Sequence, residues 1–199
     1  NGHGKVLPGK KVSVSNGKMT EEYLAKHIII ATGARSRELP TIPQNGKNII
    51  GYRKAMTLEK QPKKLVVVGS GAIGIEFAYF YNTMGTEVVI VEYLDRILPV
   101  EDEEVSKQLE RSFKKSGIKI FTNAEVKKVE TKNKSVDVII KTKSNDEIIN
   151  ADIVLSAVGI KTNIENIGLE DVGIAIDNDK IMVNDFYQTN LPGYYAIGD

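Results

Sequence analysis

The pattern of apolar and polar positions in the first third of the chain predicts two strands, a surface connection and a short helix. Strands are predicted over residues 11–15, where apolar and polar residues alternate, and over 25–31, an apolar run that ends at Thr32-Gly33. A connection rich in proline, asparagine and glycine follows, and residues 53–60 are predicted as a helix stopped by Pro62. This change of pattern predicts a domain boundary near residue 60.

A β-α-β unit follows the predicted boundary. The short β-branched run over residues 65–68 leads into apolar residues at helical spacing up to Gly85, and a second apolar run covers 88–91. A second helix is predicted over 101–116, because its first turn is acidic, one of its faces is apolar and Gly117 can end it.

Short strands fill most of the remaining chain. They are predicted over residues 118–121, 126–131, 135–142, 147–149 and 153–157. The middle three of these five strands are expected to form an antiparallel meander. The whole pattern predicts the α/β class, with a central parallel sheet of the Rossmann type and a β-meander.

Composition and charge narrow the possible partners. The 199 residues contain 27 Lys and Arg, 26 Asp and Glu, two His and no Cys, which gives a net charge of +1. Interspersed charges near neutrality offer no basic surface, so neither a nucleic acid nor a membrane is an expected partner. Without cysteine, and with only two histidines, no disulfide, cysteine nucleophile or metal site is expected.

The ends of the chain and its apolar runs bear on its location. No run approaches the roughly 20 apolar residues of a membrane span, and no signal peptide opens the chain. A cytoplasmic protein of bacterial type is therefore expected, or a protein of the mitochondrial matrix if the source is eukaryotic. Because the chain begins at Asn1 without methionine and stops at Asp199 directly after an apolar run, we interpret it as a piece of a longer protein.

A glycine-rich loop carries the candidate chemistry. It follows the first strand of the β-α-β unit, opens the helix, and consists of Gly69, Ser70, Gly71, Ala72, Ile73 and Gly74. In this G-x-G-x-x-G pattern the first glycine permits a tight turn, the second leaves room for a pyrophosphate, and the third lets helix and strand pack closely. The helix N-terminus then offers N–H groups and a positive dipole end to phosphates. The loop is therefore predicted to bind a dinucleotide.

The residue at the end of the next strand predicts which dinucleotide. Glu92 is placed to accept hydrogen bonds from the adenosine ribose hydroxyls, and its charge would repel the 2′-phosphate of NADP. NAD is therefore expected, although Arg96 four residues later is a residue that can reach a 2′-phosphate. Glu76 is expected in the first turn of the helix, where the helix dipole favours an acid.

Four motifs in this order resemble those of a known flavoprotein family, the pyridine nucleotide-disulfide oxidoreductases. They are Ile30-Ala31-Thr32-Gly33-Ala34, residues 69–76, Ser156-Ala157-Val158-Gly159 and Tyr195-Ala196-Ile197-Gly198-Asp199. Within the family, residues 73–76, Val91-Glu92 and residues 94–99 are similar to the dihydrolipoamide dehydrogenase branch. The resemblance covers essentially the whole chain and implies a Rossmann-like FAD/NAD(P)-binding fold.

The resemblance assigns a cofactor to each candidate residue. Besides the glycine loop and Glu92, it implies that Val126 contacts the adenine of NAD through its backbone and that Gly159 meets the nicotinamide end. It also implies that Glu76 lies near the nicotinamide and the flavin. The residues that it implies for FAD are Gly4, Ala31, Thr32, Gly33 and Asp199.

The resemblance also divides the chain by cofactor. Residues 1–59 are expected to be part of an FAD-binding domain, residues 60–185 the NAD-binding domain, and residues 186–199 a return to the FAD-binding domain. The family's first G-x-G-x-x-G motif, its redox-active cysteine pair, and its C-terminal dimerisation domain with the catalytic histidine are absent from this sequence. No catalytic residue is therefore expected within it.

For the intact enzyme, the resemblance implies a homodimer that oxidises dihydrolipoamide with NAD through FAD and a redox disulfide, and that serves the lipoyl domains of 2-oxoacid dehydrogenase complexes. The 199 residues alone are expected to bind NAD(H) and to be inactive. Two other interpretations stay open: another family member, such as an NADH oxidase or a mercuric reductase, or a non-catalytic NAD-binding module. A cysteine pair upstream would favour the lipoamide or mercury branches, a single redox cysteine an NADH oxidase, and no cysteine a sensor.

Overall fold

The computed structural model describes residues 2–199 and divides into two compact units. Unit 1 combines the chain up to Arg35 with Lys161–Asp199, and unit 2 is the continuous stretch Ser36–Ile160. The helices are α1 (Tyr52–Ala55), α2 (Ala72–Thr83), α3 (Glu103–Lys115) and α4 (Leu169–Val172). The strands are β1 (His3–Leu7), β2 (Lys11–Ser15), β3 (Thr20–Leu24), β4 (Ile28–Ile30), β5 (Ala34–Ser36), β6 (Ile49–Ile50), β7 (Lys64–Val68), β8 (Glu87–Val91), β9 (Lys119–Phe121), β10 (Glu125–Thr131), β11 (Val136–Lys141), β12 (Asp146–Ala151), β13 (Ile153–Ser156), β14 (Ile160–Thr162), β15 (Ile176–Asp177), β16 (Lys180–Ile181) and β17 (Tyr194–Ala196).

Unit 2 is a three-layer arrangement around a parallel sheet. The sheet has the strand order β6-β13-β7-β8-β9, and all four neighbouring pairs run parallel. On one face, Leu65 and Val67 of β7 pack in a core with residues of α2 and α3, while on the other Val66 and Val68 pack against the meander. Because both faces are covered, the strands are continuous apolar runs instead of alternating ones.

The meander of unit 2 is formed by β10, β11 and β12, which pair antiparallel in sequence order. Its alternating strands turn one side inward: Val136, Val138 and Ile140 of β11 are completely buried. A register shift between Val126 and Lys128 interrupts β10 near the parallel sheet. The predicted α/β class, with its Rossmann-type parallel sheet and β-meander, is therefore confirmed.

Unit 1 has smaller sheets and its own core. The strands β1, β2 and β3 form an antiparallel sheet, β4 pairs parallel with β17, and β15 pairs with β16. Its buried apolar residues come from both segments of the chain and are Val6, Ile28, Ile30, Leu169, Ile174 and Tyr194.

The units begin and end at other residues than the boundaries predicted near 60 and 185. Ile49 of β6 pairs with Val154 of β13, so the chain has already joined the parallel sheet of unit 2 before residue 60. At the other end, Leu169 and Ile174 pack in the core of unit 1 together with Val6. The assignment of FAD and NAD to these regions stays a prediction.

Two local predictions need correction. The strand predicted over 25–31 is limited to β4 and is preceded by β3, which the pattern did not indicate because all five of its residues are exposed. The helix predicted over 53–60 is a single turn, α1. Among residues 2–199, no helix has the length and apolar character of a membrane span, and no cluster of three or more potential metal ligands is found.

Candidate functional site

A cleft of about 850 Å³ lies in unit 2 where three neighbouring parallel strands end. Strands β7, β8 and β13 lead directly into Gly69, Glu92 and Ala157, which line it. The carboxyl ends of parallel strands are where open α/β sheets bind ligands. Of the residues predicted to bind NAD, the cleft brings together Gly69, Ser70, Gly71, Ala72, Ile73, Glu92, Val126 and Gly159.

Gly69 makes the tight turn that leaves β7. Its φ is +92°, and a Cβ there would lie 2.5 Å from the carbonyl oxygen of Ala157 on the neighbouring segment. Its own N–H donates to the carbonyl of Val91 over 2.9 Å. Both the backbone conformation and the close approach of the segment after β13 therefore require glycine.

Gly71 is the N-cap of α2 and differs from the other two glycines of the loop. Its backbone is extended, with φ −67° and ψ −178°, a conformation open to any residue. A Cβ at this position would have nothing within 4 Å, and the residue lines the cleft. No side chain caps α2, so the first N–H groups of the helix are left for another acceptor. The space beside Gly71 is therefore open space of the cleft and not protein core.

Gly74 lies within α2 and does not line the cleft. A Cβ on it would lie 2.1 Å from the carbonyl oxygen of Gly69 and 3.3 Å from Cγ1 of Val67. The close packing of helix against strand that the pattern predicts for this glycine is therefore found in the structure.

The carboxylate of Glu92 is buried at the base of the cleft, with 6% of the residue exposed. Its Oε2 accepts hydrogen bonds from the amide of Ser70 over 2.8 Å and from the Ser70 hydroxyl over 2.6 Å. Its Oε1 accepts a bond from the amide of Leu94 over 2.8 Å. A carboxylate has about four acceptor positions, so one position on Oε1 is left by these three donors.

Arg96 does not line the cleft. Its guanidinium donates from Nη2 to the carbonyl of Pro99 over 3.2 Å. Hydrogen bonding to Lys107 lowers the pKa of Glu103, and the charge of Arg96 adds a smaller effect in the same direction. The segment that carries it is tied to the glycine loop, because the amide of Leu98 donates to the carbonyl of Ser70 over 3.0 Å. The cleft therefore presents the carboxylate of Glu92 at the end of β8, without the guanidinium.

Glu76 is placed differently from the sequence prediction. It is the fifth residue of α2, and no acid occupies the first turn of that helix, so the predicted dipole contact is wrong. Its exposed side chain lines a second cavity of about 440 Å³ in unit 2, together with Met56, Phe77 and Phe80. An apolar cavity with one carboxylate differs in chemistry from the glycine-lined cleft.

The residues predicted to contact FAD lie in unit 1. Ala31, Thr32 and Gly33 follow β4, and Asp199 lies three residues after β17. Because β4 and β17 are parallel neighbours, these two chain ends leave the pair at the same edge. Gly4 lies in β1, opposite Val14.

Polar contacts fix the loop after β4. The side-chain amide of Asn163 donates to the carbonyl of Thr32 over 3.1 Å, and its backbone N–H donates to that of Gly33 over 2.9 Å. Next to it, Arg35 makes a two-bond ion pair with Glu165, with distances of 2.6 and 3.1 Å. Hydrogen bonding to Arg35, supported by Lys161, lowers the pKa of Glu165 from 4.5 to about 2.

Several residues of the cleft were not predicted from the sequence. They come from the connection before α1 and from the loop after β8, and they include Leu39, Thr41, Ile42, Tyr93, Leu94 and Val100. The loop after β8 could have been predicted from the sequence, because it directly follows Glu92 and must therefore lie beside a ligand bound to that residue. The segment 39–42 carries no such signal, since its proline-rich composition indicates only a surface connection.

Comparisons with known proteins agree with this geometry. The sequence model of the family described as pyridine nucleotide-disulphide oxidoreductase matches residues 2–199. A dihydrolipoyl dehydrogenase from Rhizobium etli is 47% identical over 185 residues, which are 92% of this chain and 38% of that relative. One from Zymomonas mobilis is 43% identical over 202 residues, covering 100% of this chain and 43% of the relative.

A solved structure has a similar fold. The crystal structure of LpdA from Mycobacterium tuberculosis matches with a TM-score of 0.87 at 30% identity, over 100% of this chain and 44% of that one. The chain thus spans about two fifths of the length of the proteins it matches.

Proposed function

Because the chain belongs to the pyridine nucleotide-disulphide oxidoreductase family, we propose that unit 2 binds NAD(H) and that the whole protein is a flavin-dependent dihydrolipoamide dehydrogenase. The observation that carries the proposal is the space beside Gly71, where the cleft leaves room at the start of α2. A pyrophosphate needs both that room and the N–H groups of a helix start.

We assign the contacts with the adenosine end of the dinucleotide to Glu92 and Val126. Both line the cleft, and the remaining acceptor position of Glu92 suits a ribose hydroxyl donor. A 2′-phosphate would instead bring negative charge to a buried carboxylate. Gly159, with φ +101°, lines the same cleft and is assigned to the nicotinamide end. Glu76 lines the second cavity and not the cleft, so its assignment near the nicotinamide and the flavin rests on the family resemblance alone.

In the whole protein, we assign the contacts with FAD to unit 1. The residues are Gly4, Ala31, Thr32, Gly33 and Asp199, of which the last four lie at the carboxyl ends of a parallel strand pair. Bound NAD supplies a hydride acceptor, and bound FAD supplies an electron relay from a dithiol. The role of this chain in that reaction is to hold and orient the nicotinamide.

The partners of the whole protein follow from the same assignment. The curated relatives are named dihydrolipoyl dehydrogenase, so lipoyl domains of 2-oxoacid dehydrogenase complexes are the proposed electron donors and a homodimer is the proposed assembly. The proposed location is the cytoplasm of a bacterium or the mitochondrial matrix of a eukaryote.

Calorimetric titration of the 199-residue chain with NADH and NADPH tests the proposal. We expect NADH to bind more tightly than NADPH. Glu92→Gln should reduce the difference between their binding free energies by about 1–2 kcal/mol, the scale of a charge-assisted hydrogen bond. Glutamine is preferred to alanine because it keeps the length of the side chain and one acceptor oxygen, which can serve the amide of Ser70 or that of Leu94 but not both.

The matched control is Glu87→Gln. Glu87 begins the same strand that Glu92 follows, but it lies at the opposite end of β8, where it pairs with Lys64 at the surface. This variant should leave the difference between the two nucleotides unchanged. Equal affinities of the unmodified chain for NADH and NADPH would contradict the proposed specificity, and no affinity for either would contradict the proposed function.

A further inference from the structure

Ser70 occupies an unusual position for a residue of a ligand-binding loop. It is completely buried, with 0% of the residue exposed, although it is one of the residues that line the cleft. Its hydroxyl donates to Glu92 over 2.6 Å, which is the shortest of the three contacts that hold this carboxylate. The hydroxyl proton of Ser70 is therefore donated to the carboxylate of Glu92.

We propose that Ser70 is a positioning residue that determines nucleotide specificity through Glu92. This inference rests on the proposed function, since it concerns how the same cleft distinguishes NAD(H) from NADP(H). The hydroxyl of Ser70 fixes the carboxylate of Glu92 in one orientation and does not itself contact the dinucleotide.

The geometry gives the mechanism. The two bonds from Ser70 converge on Oε2, and together with the amide of Leu94 on Oε1 they leave one acceptor position, on Oε1. A ribose 2′-hydroxyl can donate to that position, whereas a 2′-phosphate meets a negative charge that cannot turn away. Fixing the carboxylate therefore strengthens the hydrogen bond to NAD and the repulsion of NADP at the same time.

Loss of the hydroxyl alone should leave the loop in place. The amide of Ser70 still donates to Glu92, and its carbonyl still accepts the bond from Leu98. The carboxylate loses one of its two anchors on Oε2 and gains freedom to rotate. The expected consequence is a partial loss of discrimination between the two nucleotides, without loss of the fold.

The test measures Kd for NADH and NADPH in the unmodified 199-residue chain, Ser70→Ala, Glu92→Gln and the double variant. Ser70→Ala should lower the ratio of the two affinities by roughly three- to tenfold. In the Glu92→Gln background the same substitution should leave the ratio unchanged, because its effect passes through the carboxylate. If Ser70→Ala does not fold, Ser70→Cys places a slightly larger and much weaker donor at the same position and carries the same expectation.

Ser106→Ala is the matched control. Ser106 is equally buried, and its hydroxyl donates to the carbonyl of Leu98 over 3.1 Å, so it makes no hydrogen bond to Glu92. It should leave the ratio unchanged while costing stability. A merely structural role for Ser70 would lower both affinities by the same factor.

The outcomes separate this inference from the proposed function. If NADH is preferred but Ser70→Ala leaves the ratio unchanged, or lowers it equally with and without Glu92, only the role of Ser70 is overturned. If the unmodified chain binds neither nucleotide, the proposed function and the role of Ser70 are both overturned.

Discussion

Units 1 and 2 both have a parallel strand that is followed within three residues by a glycine with positive φ, yet only unit 2 combines it with a helix of several turns. In unit 2, β7 ends at Gly69, with φ +92°, and the 12-residue helix α2 starts three residues later. In unit 1, β4 is followed by Gly33, with φ +67°, but the one helix of that unit among the described residues is the four-residue α4. A glycine turn gives backbone room, and the helix adds the N–H groups that bind phosphate.

The sheets of the two units differ in how they are covered. All apolar residues of β7 are buried, because helices cover one face of the sheet and the meander covers the other. In β4, Ile28 and Ile30 are buried while Ile29 is 61% exposed. Unit 2 therefore has a sheet covered on both faces with a cleft at its strand ends, whereas unit 1 presents a strand pair with one open face.

The largest expected difference between the two units is in cofactor binding, which is tested by adding NADH and FAD to the 199-residue chain. We expect saturable binding of NADH and no retained FAD, so that the purified protein is colourless. The reason is that the candidate flavin contacts in unit 1 are two strand ends, without a helix start beside Gly33. Absorbance spectroscopy after incubation with FAD and desalting measures the bound flavin.

A turnover assay gives the matching negative result. With no cysteine among the 199 residues, the chain has no disulfide to accept electrons from a dithiol, so dihydrolipoamide should not drive formation of NADH even with FAD added. Stoichiometric flavin or measurable turnover would show that unit 1 is more complete than its strand ends suggest.

A second, smaller effect is expected from Gly71→Val. The extended backbone accepts valine, and its side chain would extend into the open space of the cleft. Affinity for NADH should fall by at least about 100-fold, while the melting temperature stays within about 3 °C. Titration and thermal unfolding of the same preparation measure the two quantities.

Gly74→Ala is the control for this variant, because it should lower the stability of the fold, which Gly71→Val should leave nearly unchanged. The new Cβ would collide with the carbonyl of Gly69, so it should destabilise the chain by about 1–3 kcal/mol or more. If Gly71→Val were to retain NADH binding, the pyrophosphate could not lie at this loop.

The sequence predicted the parts of unit 2 that are local. β7, α2 and β8 follow one another as apolar runs around a glycine loop, and their bounds differ from the prediction by a residue or so. Glu92 was placed at the end of β8 by counting, but its contact with Ser70 joins residues 22 positions apart. A pattern of residue types contains no information on that rotamer.

Prediction from the sequence failed for two kinds of segment. One kind buries no apolar residue of its own, and the other is stabilised by residues far away in the chain. β3 is entirely exposed and is held by backbone pairing with β2, so no alternation marked it. Likewise β6 has only two residues, and it belongs to unit 2 because Ile49 pairs with Val154, more than one hundred positions away in the chain. Domain boundaries inferred from local composition miss such pairings.

The smallest expected effect is the contribution of Glu165 in unit 1 to stability, which depends on pH. Pairing with Arg35 lowers the pKa of Glu165 from 4.5 to about 2. Because the folded-state pKa is the lower one, this pair contributes stability above pH 4.5 and loses that contribution as the pH falls from 4.5 to about 2. Both side chains are more than one third exposed, so Glu165→Gln should lower the melting temperature at pH 7 by about 2 °C or less.

The pH dependence makes this small effect specific. Melting temperatures of the unmodified chain and of Glu165→Gln should converge as the pH is lowered toward 2, because protonation removes the charge that the substitution removes. Glu170→Gln serves as the control: its exposed side chain makes no hydrogen bond or ion pair within residues 2–199, so its curve should follow the unmodified one. A difference that persists at pH 2 would mean that Glu165 acts through packing and not through its charge.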